Sequence, residues 1–141
     1  MKLLVTGAAG FIGVNFVRYV LAHTGHAVVG LDSMTYAANP KSLVGLDPSR
    51  FNLVKGDICD RDLVGKLVSE CDAVVHFAAE SHNDNSIANP EPFVITNVFG
   101  TFSILEAVRE QGKRIHHIST DEVYGDLPLV GTERFHESTP Y

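Results

Sequence analysis

Three glycines lie between a short apolar run and an amphipathic segment, and they constrain the fold of this chain more than any other feature. The run Lys2–Thr6 has the length and composition of a buried strand, and Phe11–Ala22 carries apolar residues at helical spacing. Between them, Gly7 permits a tight turn, Gly10 lets the backbone approach an anion, and Gly13 permits close packing of the helix. The pattern predicts a strand–turn–helix unit whose helix N-terminus faces a pyrophosphate.

The rest of the chain alternates in the same way between short apolar runs and helix-length segments. Further strands are predicted at Ala27–Leu31, Phe51–Val54, Ala73–Phe77 and Arg114–Ser119, and further helices at Arg61–Ser69 and Pro92–Gln111. Gly112 follows the last helix as a stop signal. The segments Ser33–Arg50 and Asp126–Tyr141 show no lasting period and are predicted to be loops. Alternating strands and helices indicate crossover connections, and therefore an α/β fold with a parallel sheet.

Charge and composition argue against several classes of protein. The formal net charge of −6 does not suit a nucleic-acid binder, which would present a basic face. The opening run Met1–Val5 is too short for a signal peptide, and no stretch is long enough to span a bilayer. Cys59 and Cys71 have neither a CxxC spacing nor the density of a disulfide scaffold. Reduced thiols and a cytoplasmic location are therefore expected.

The histidines and the phenylalanines of the long helix are not predicted to bind ligands. His116 and His117 are adjacent on a strand, so their side chains point to opposite faces and cannot share one metal ion. No Cys/His spacing matches a zinc site, and no metal site is predicted. Phe93, Phe99 and Phe102 are predicted to be core residues.

Two acidic residues follow predicted strands, at the same edge of the sheet as the glycine turn. Asp32 stands about 20 residues beyond the last glycine, where a carboxylate accepts a hydrogen bond from a ribose 2′-hydroxyl. Because such a carboxylate repels a 2′-phosphate, the sequence favours NAD over NADP. Asp57 has two interpretations, which stay open: it resembles the residue that faces the adenine in dinucleotide-binding domains, or it is a helix N-cap before Arg61.

The spacing GxxGxxG, in place of GxGxxG, resembles the extended short-chain dehydrogenase/reductase family, whose members act largely on nucleotide sugars. Three more stretches narrow the resemblance, namely His76–His82, Thr96–Thr101 and Ser119–Gly125. With the glycine turn they are similar to the dTDP-glucose 4,6-dehydratase group over all 141 residues. The most discriminating piece is Thr120-Asp121-Glu122, since epimerases of the superfamily usually carry small or hydroxylated residues in place of the two acids.

The resemblance implies a Rossmann-type doubly wound parallel sheet, truncated before its second half and before the substrate domain. Residues 1–141 would then form an incomplete NAD-binding domain. The Tyr-x-x-x-Lys pair that runs the redox steps in this family is absent, and Tyr124 does not supply it because Pro128 stands where a Lys is needed. The chain is therefore expected to be inactive alone, and the full-length protein is expected to be a homodimer.

The resemblance also implies a reaction, the NAD-dependent conversion of dTDP-glucose to dTDP-4-keto-6-deoxyglucose and water. After oxidation at C4, Glu122 would remove the C5 proton and Asp121 would protonate the departing C6 hydroxyl, before the hydride returns to C6. Thr120 is similar to the hydroxyl that hydrogen-bonds the C4 oxygen. Elementary chemistry agrees, because an elimination needs one protonated and one ionised carboxyl group. Ligands of open parallel sheets also bind at the carboxyl ends of the strands, where these residues lie.

The same resemblance assigns binding residues. Phe11 and Ile12 would contact the pyrophosphate through the backbone, and Ser33–Thr35 would border the adenosine. The implied cofactor residues are Gly7, Gly10, Phe11, Ile12, Gly13, Asp32, Ser33, Met34, Thr35, Asp57, Ile58, Phe77, Ala78, Ala79, Glu80, Ser81 and Thr96. Ser81 and Thr120 are the implied substrate-binding residues.

Two other functions stay open at this point. A nucleotide-sugar epimerase or decarboxylase would share the fold and the cofactor, but Asp121 and Glu122 disfavour it. A non-catalytic NAD-binding module would suit the missing Tyr and Lys. The residues leave open whether the nucleotide carries thymine or uracil.

Overall fold

The computed structural model describes residues 1–141, and its five strands form a parallel sheet. The strands are β1 (Lys2–Thr6), β2 (Ala27–Asp32), β3 (Phe51–Lys55), β4 (Ala73–His76) and β5 (Arg114–His117). They lie in the order β3-β2-β1-β4-β5, and every neighbouring pair is parallel. The strand order reverses between β1 and β4, which is the point where open α/β sheets bind ligands. The predicted α/β fold with a parallel sheet is confirmed.

Helices cover both faces of this sheet. They are α1 (Phe11–His23), α2 (Arg61–Ser69), α3 (Asn83–Ala88), α4 (Glu91–Phe93) and α5 (Thr101–Glu110). A π-helical segment, Val94–Gly100, joins α4 to α5, and short 3₁₀ helices occupy Pro40–Leu43 and Asp121–Tyr124. None of the helices combines the length and the apolar character that a membrane span requires.

The sheet separates two apolar clusters. Leu3 and Val5 point to one face and Leu4 points to the other, as the two-residue period of a strand requires. α1 packs on the first face through Val17 and Val20, while α2 and α5 cover the second through Val64, Leu67, Val68, Ile104, Ala107 and Val108. Because the central strands are buried on both faces, their sequences are continuous apolar runs with no polar alternation.

The predicted strands are all present; β1 has the predicted boundaries, and the other four strands differ from the prediction by one or two residues at one end. β2 and β3 extend beyond the predicted ends to Asp32 and Lys55, whereas β4 ends at His76 and β5 at His117. Element ends fray, so their last residues are the ones that a sequence pattern specifies least. α3 was not predicted, because its sequence is mostly polar and none of its residues is buried.

The helix predicted at Pro92–Gln111 is present at Glu91–Glu110, but its centre is π-helical. The last residue of the π-helical segment, Gly100, is buried and packs directly against Ile58, where a Cβ would collide with the isoleucine side chain. A π-helical turn within an α-helix is rare and frequently lies at a functional site. The segment holds Thr96, one of the predicted cofactor residues.

The prediction that the phenylalanines of this helix belong to the core was wrong. Phe99 is 61% exposed and Phe102 49% exposed, and Phe93 is only partly buried. The face that packs on the sheet carries Ser103, Ile104, Ala107 and Val108. Because the helix is apolar on two faces, periodicity alone does not identify the buried one.

Candidate functional site

A cleft of about 760 Å³ lies at the carboxyl ends of β1 to β4. Its walls come from the turn between β1 and α1, the segments that follow β2, β3 and β4, and the start of the long helix. All of the predicted cofactor residues line this cleft except Met34. The sheet thus brings together predicted cofactor residues that are up to 89 positions apart, from Gly7 to Thr96.

The glycine turn forms the floor of this cleft. Gly7 has a φ of +67°, a conformation that residues with a side chain rarely adopt, and a Cβ there would lie 2.8 Å from the Ala78 nitrogen. A Cβ at Gly13 would collide with the Gly7 carbonyl oxygen. The turn is held by hydrogen bonds from the Gly7 N–H to the Leu31 carbonyl (2.9 Å) and from the Gly10 N–H to the Gly7 carbonyl (3.1 Å). The backbones of the turn, of α1 and of the segment after β4 therefore approach as closely as glycine allows.

The N-terminus of α1 opens into the cleft without a capping side chain. Gly10 occupies the N-cap position, and the first turn contains no acidic residue. The N–H groups of Phe11, Ile12 and Gly13 have no intrahelical acceptor, as in the first turn of any helix. Since the helix dipole adds a partial positive charge here, this end of α1 is suited to an anion such as a pyrophosphate.

Asp32 is buried and joins two sides of the cleft. One carboxylate oxygen accepts from the Ala9 N–H (2.9 Å) and the other from the Met34 N–H (2.8 Å). The second bond stabilises Met34 at a φ of +62°. A carboxylate offers about four lone-pair positions, so each oxygen retains capacity for a ribose hydroxyl.

Asp57 is not the N-cap of α2, so that interpretation was wrong. The N-cap is Asp60, whose carboxylate accepts from the Leu63 N–H at 3.0 Å. Asp57 lies on the cleft wall, and its carboxylate accepts from the Cys59 N–H at 2.8 Å. Burial and the neighbouring Asp57 carboxylate raise the pKa of the Cys59 thiol to about 11, so this thiol is not a ready nucleophile.

The buried imidazole of His76 stabilises the end of β4, and the residues that follow β4 form one wall of the cleft. The two ring nitrogens of His76 lie 2.6 Å from the Thr6 hydroxyl and 3.1 Å from the Thr101 hydroxyl. The Thr6 hydroxyl also accepts from the Ala78 N–H at 3.2 Å. Burial and the nearby His117 ring lower the pKa of His76 to about 4, so the ring is neutral at physiological pH.

Several residues of the cleft were missed by sequence reasoning. They are Leu31, Ala37, Ala38, Gly56, Glu91, Pro92, Ile95 and Ile118. The rule that ligands bind at strand carboxyl ends would have found Ile118, and helical spacing from Thr96 would have found Pro92. Ala37 and Ala38 lie in an irregular loop and carry no signal of this kind.

The three predicted catalytic residues lie outside the cleft. Thr120, Asp121 and Glu122 are exposed at the start of a 3₁₀ helix, whereas Ile118 just before them lines the cleft. The Thr120 hydroxyl accepts from the Glu122 N–H (3.2 Å) and donates to the Asp121 carboxylate (3.4 Å). Of the two predicted substrate residues, Ser81 lines the cleft and Thr120 does not. No group of three or more His, Cys, Asp or Glu side chains is arranged to hold a metal ion.

Comparison with known proteins relates the whole chain to one family. The family model for GDP-mannose 4,6 dehydratase matches residues 4–141. The dTDP-glucose 4,6-dehydratase of Mycobacterium tuberculosis is 62% identical to the chain over its entire length, and dTDP-glucose 4,6-dehydratase 1 of Escherichia coli is 46% identical. The chain spans 43% and 45% of these two proteins, which is less than half of each.

Solved structures show the same relationship. The dTDP-glucose 4,6-dehydratase of Streptomyces venezuelae, solved with NAD bound, superposes with a TM-score of 0.89 at 47% identity, over 99% of this chain and 45% of that one. The enzyme of Bacillus anthracis in complex with NAD gives a TM-score of 0.84 at 39% identity, over 99% and 43%. A UDP-glucose-4-epimerase of Stenotrophomonas maltophila with bound NAD gives 0.80 at 30% identity, over 90% and 39%. Dehydratases and epimerases thus share this architecture.

Proposed function

The chain belongs to the GDP-mannose 4,6-dehydratase family, and we propose that it forms the NAD-binding part of a dTDP-glucose 4,6-dehydratase. Identity supports dTDP-glucose as the substrate, because the Mycobacterium tuberculosis enzyme is 62% identical over the full chain. The observation that carries the proposal is the cleft itself, with an uncapped helix N-terminus on its floor and Asp32 at its side. We propose the predicted cofactor residues as its NAD contacts.

The residues of the cleft fit NAD in chemistry as well as in place. The free N–H groups at the start of α1 suit the pyrophosphate, and no acidic side chain in the first turn opposes it. The unused lone pairs of Asp32 suit ribose hydroxyls and disfavour a 2′-phosphate. The chemistry that bound NAD supplies is removal of a hydride from C4 of the glucose unit and its return to C6.

The proton transfers of the reaction are assigned to the residues that follow β5. Glu122, as a carboxylate, takes the C5 proton, which a ketone at C4 makes acidic, and returns a proton to C5 when the hydride is added at C6. Asp121, as a carboxylic acid, donates its proton to the C6 hydroxyl as the C–O bond breaks and water leaves. Thr120 donates a hydrogen bond to the C4 oxygen, and Ser81 on the cleft wall contacts both the sugar and the cofactor. These assignments are supported by the family's motif at Thr120–Glu122.

A chimera with the Mycobacterium tuberculosis relative tests this function. The chain would replace the matching 43% of that dehydratase, which supplies the remainder. We expect Glu122→Gln and Asp121→Asn to lower product formation from dTDP-glucose by about 10²–10⁴-fold, as is typical of lost acid–base catalysis. Each variant should still reduce bound NAD when the sugar nucleotide is added, because neither change affects the hydride step at C4.

Matched controls are available in the same exposed segment. Asp126→Asn and Glu133→Gln make the same chemical changes at exposed positions, and both should keep the parent rate. Exchange of solvent deuterium at C5 should fall with Glu122→Gln in particular, because Glu122 handles that proton. If both active-site variants form product at the parent rate, the pair is not catalytic. If the parent chimera instead interconverts the sugar at C4 without loss of water, the nucleotide-sugar epimerase function, whose fold the chain shares, takes precedence.

We also propose that the chain alone does not turn over a nucleotide sugar. Its 141 residues contain no Tyr-x-x-x-Lys sequence to deprotonate the C4 hydroxyl. Incubation of the purified chain with NAD and dTDP-glucose should give no 4-keto-6-deoxy product, which is detected by its absorbance in alkali. Formation of that product would place the redox base among the residues of this chain.

Assembly and location are further proposals. The long helix exposes an apolar stripe, Val94, Val98, Phe99, Phe102 and Leu105, of the kind that a second subunit covers in a homodimer. Sedimentation of the chimera should show a dimer, and Phe102→Glu should shift it toward the monomer.

Cys59 and Cys71 are both free thiols, which supports a cytoplasmic location.

A further inference from the structure

We propose that Tyr36 and Glu80 form a latch across the cleft, which must open each time a dinucleotide enters or leaves. The Tyr36 hydroxyl donates a hydrogen bond of 2.9 Å to the Glu80 carboxylate. The inference rests on the proposed function, in that the cleft holds NAD. It adds a kinetic role for Tyr36, which does not itself line the cleft.

The position of this bond in the sheet explains why it spans the cleft. Tyr36 follows β2 and Glu80 follows β4, and β1 lies between these two strands. Neighbouring strands are about 4.7–4.9 Å apart, so the strands that carry the two walls are about 10 Å apart. A bond between the two walls therefore passes over the exit of β1, which is the glycine turn. The pyrophosphate site lies at that turn.

Hydrogen bonds hold the main chain on both sides of the latch. The Asn97 side chain accepts from the Glu80 N–H and donates to the Glu80 carbonyl, each at 2.8 Å, and thereby ties this residue to the π-helical segment. On the other wall, the Asn39 N–H donates to the Ala9 carbonyl (2.8 Å) and the Ala38 N–H donates to the Thr35 carbonyl (3.1 Å). The latch thus joins two ordered segments, and it opens by breaking the Tyr36–Glu80 hydrogen bond while the main chain on both sides stays in place.

The exposure of Tyr36 separates this role from a role in packing. The side chain is 64% exposed, so burial of its ring does not account for its position. Its neighbours Thr35 and Ala37 line the cleft, as does Glu80. Removal of the hydroxyl alone should leave the fold intact while releasing the two walls from each other.

A gate has a kinetic signature that a ligand contact lacks. Because the bond closes the cleft before a ligand arrives, its loss should speed association and dissociation by similar factors and leave the affinity nearly unchanged. A hydroxyl that contacts the bound ligand would instead mainly raise the dissociation rate and weaken binding in proportion. The ratio of the two rates therefore distinguishes a gate from a contact.

The experiment follows NADH fluorescence in a stopped-flow instrument, with the chain and its Tyr36→Phe variant. Association is measured on mixing with NADH, and dissociation on displacement by excess NAD. We expect both rates to rise about tenfold, equivalent to about 1.4 kcal/mol in the barrier, with Kd unchanged within about twofold. Tyr19→Phe, which removes another exposed tyrosine hydroxyl outside the cleft, should change neither rate.

A double-mutant cycle tests whether Glu80 is the partner. In a Glu80→Ala background, Tyr36→Phe should have no further effect on either rate. The latch is overturned if Tyr36→Phe has equal effects in both backgrounds, or if it changes neither rate. It is also overturned if Tyr36→Phe raises the dissociation rate alone, with a matching loss of affinity. If the parent chain binds no NADH, the proposed NAD site fails and the latch fails with it. Normal NADH binding with unchanged rates in Tyr36→Phe would overturn the latch alone.

Discussion

The glycine turn after β1 and the segment after β5 lie at the same edge of the sheet, and the chain holds them in different ways. Around the turn, Thr6, Ala8, Ala9 and Asp32 are all buried, and hydrogen bonds link the turn to β2 and β4. From residue 119 to residue 141 no residue is buried. Contacts in this stretch are local, such as the stacking of Tyr124 with Phe135 at 5.3 Å.

This difference shows which of the two proposed sites, the cofactor cleft or the acid–base pair, is held in place by the fold of this chain. The cofactor cleft depends on β1 to β4, whose order and register place its walls. The proposed acid and base, Asp121 and Glu122, depend only on a single 3₁₀ turn. We therefore expect substitutions at the turn to affect folding and NAD binding, and substitutions after β5 to affect neither.

The largest effect is expected from Gly7→Ala. The methyl group would lie 2.8 Å from the Ala78 nitrogen, and the residue would have to hold a φ of +67°. Left-handed backbone costs about 1–2 kcal/mol, and overpacking costs about 1–3 kcal/mol more. Denaturant titration should show a loss of about 3 kcal/mol, and calorimetry should show NAD binding weakened by at least about a hundredfold.

Gly65→Ala is the matched control for that substitution. Nothing lies within 4 Å of a Cβ at Gly65, which is in the interior of α2. Because alanine favours the helix over glycine, this variant should be more stable by about 0.5–1 kcal/mol. A Gly7→Ala variant as stable as the parent would show that the turn is not as tightly packed as the structure indicates.

The next effect is on the pH dependence of stability, through His76. The folded state holds the pKa of this ring at about 4, below its ordinary 6.5, so the unfolded chain binds the proton first as the pH falls. Stability contributed by the neutral ring is therefore lost on acidification, by about 2 kcal/mol between pH 6.5 and pH 5. Unfolding free energies measured across this window should show the loss, and His76→Gln should reduce it.

The exposed neighbour His116 provides the control for this measurement. His116→Gln should leave the slope of stability against pH unchanged, because the ring at this position is exposed. Equal slopes in the parent and in His76→Gln would contradict the assignment of the effect to the buried ring. The strand end before Ala78 would then not depend on a neutral imidazole.

Much of the fold could be predicted from the sequence because parallel strands that are buried on both faces are continuous apolar runs. The π-helical segment carries no local sequence signal, and its last residue, Gly100, packs against Ile58, which is 42 residues earlier in the chain. The exposed Phe99 and Phe102 were misassigned to the core because the helix is apolar on both sides. Local patterns identify elements, whereas contacts between elements decide which face is buried.

In the candidate site, too, local patterns predicted some features, whereas contacts between distant segments determine others. Glycine spacing and the position of Asp32 at a strand end predicted the centre of the cleft, because both follow from one strand–turn–helix unit. Asp57 was open between two interpretations until Asp60 was seen to cap α2. Tyr36 carried no signal at all, since its partner Glu80 is 44 residues away and only the sheet brings them together.

A smaller effect is expected in the choice between NAD and NADP. Because Asp32 should accept from the 2′-hydroxyl and repel a 2′-phosphate, NAD should bind at least about tenfold more tightly, a gap of about 1.4 kcal/mol. Calorimetric titration of both cofactors measures it. Asp32→Asn should narrow the gap, and Asp57→Asn, on the same edge, should preserve it. Equal affinities of the parent chain for the two cofactors would remove Asp32 from the ribose site.

The smallest effect is expected from Asp121→Asn and Glu122→Gln on the stability of the chain itself. Both side chains are exposed and neither forms an ion pair, so the free energy of unfolding should change by no more than about 0.5 kcal/mol. NAD affinity should also be unchanged, since neither residue lines the cleft. Denaturant titration and calorimetry of these variants and of Gly7→Ala compare the segment after β5 with the glycine turn in the free energy of unfolding and in the affinity for NAD. A loss above about 1 kcal/mol would mean that the segment after β5 packs on the sheet in solution. The proposed acid and base would then be positioned by this chain before any further part of the enzyme is added.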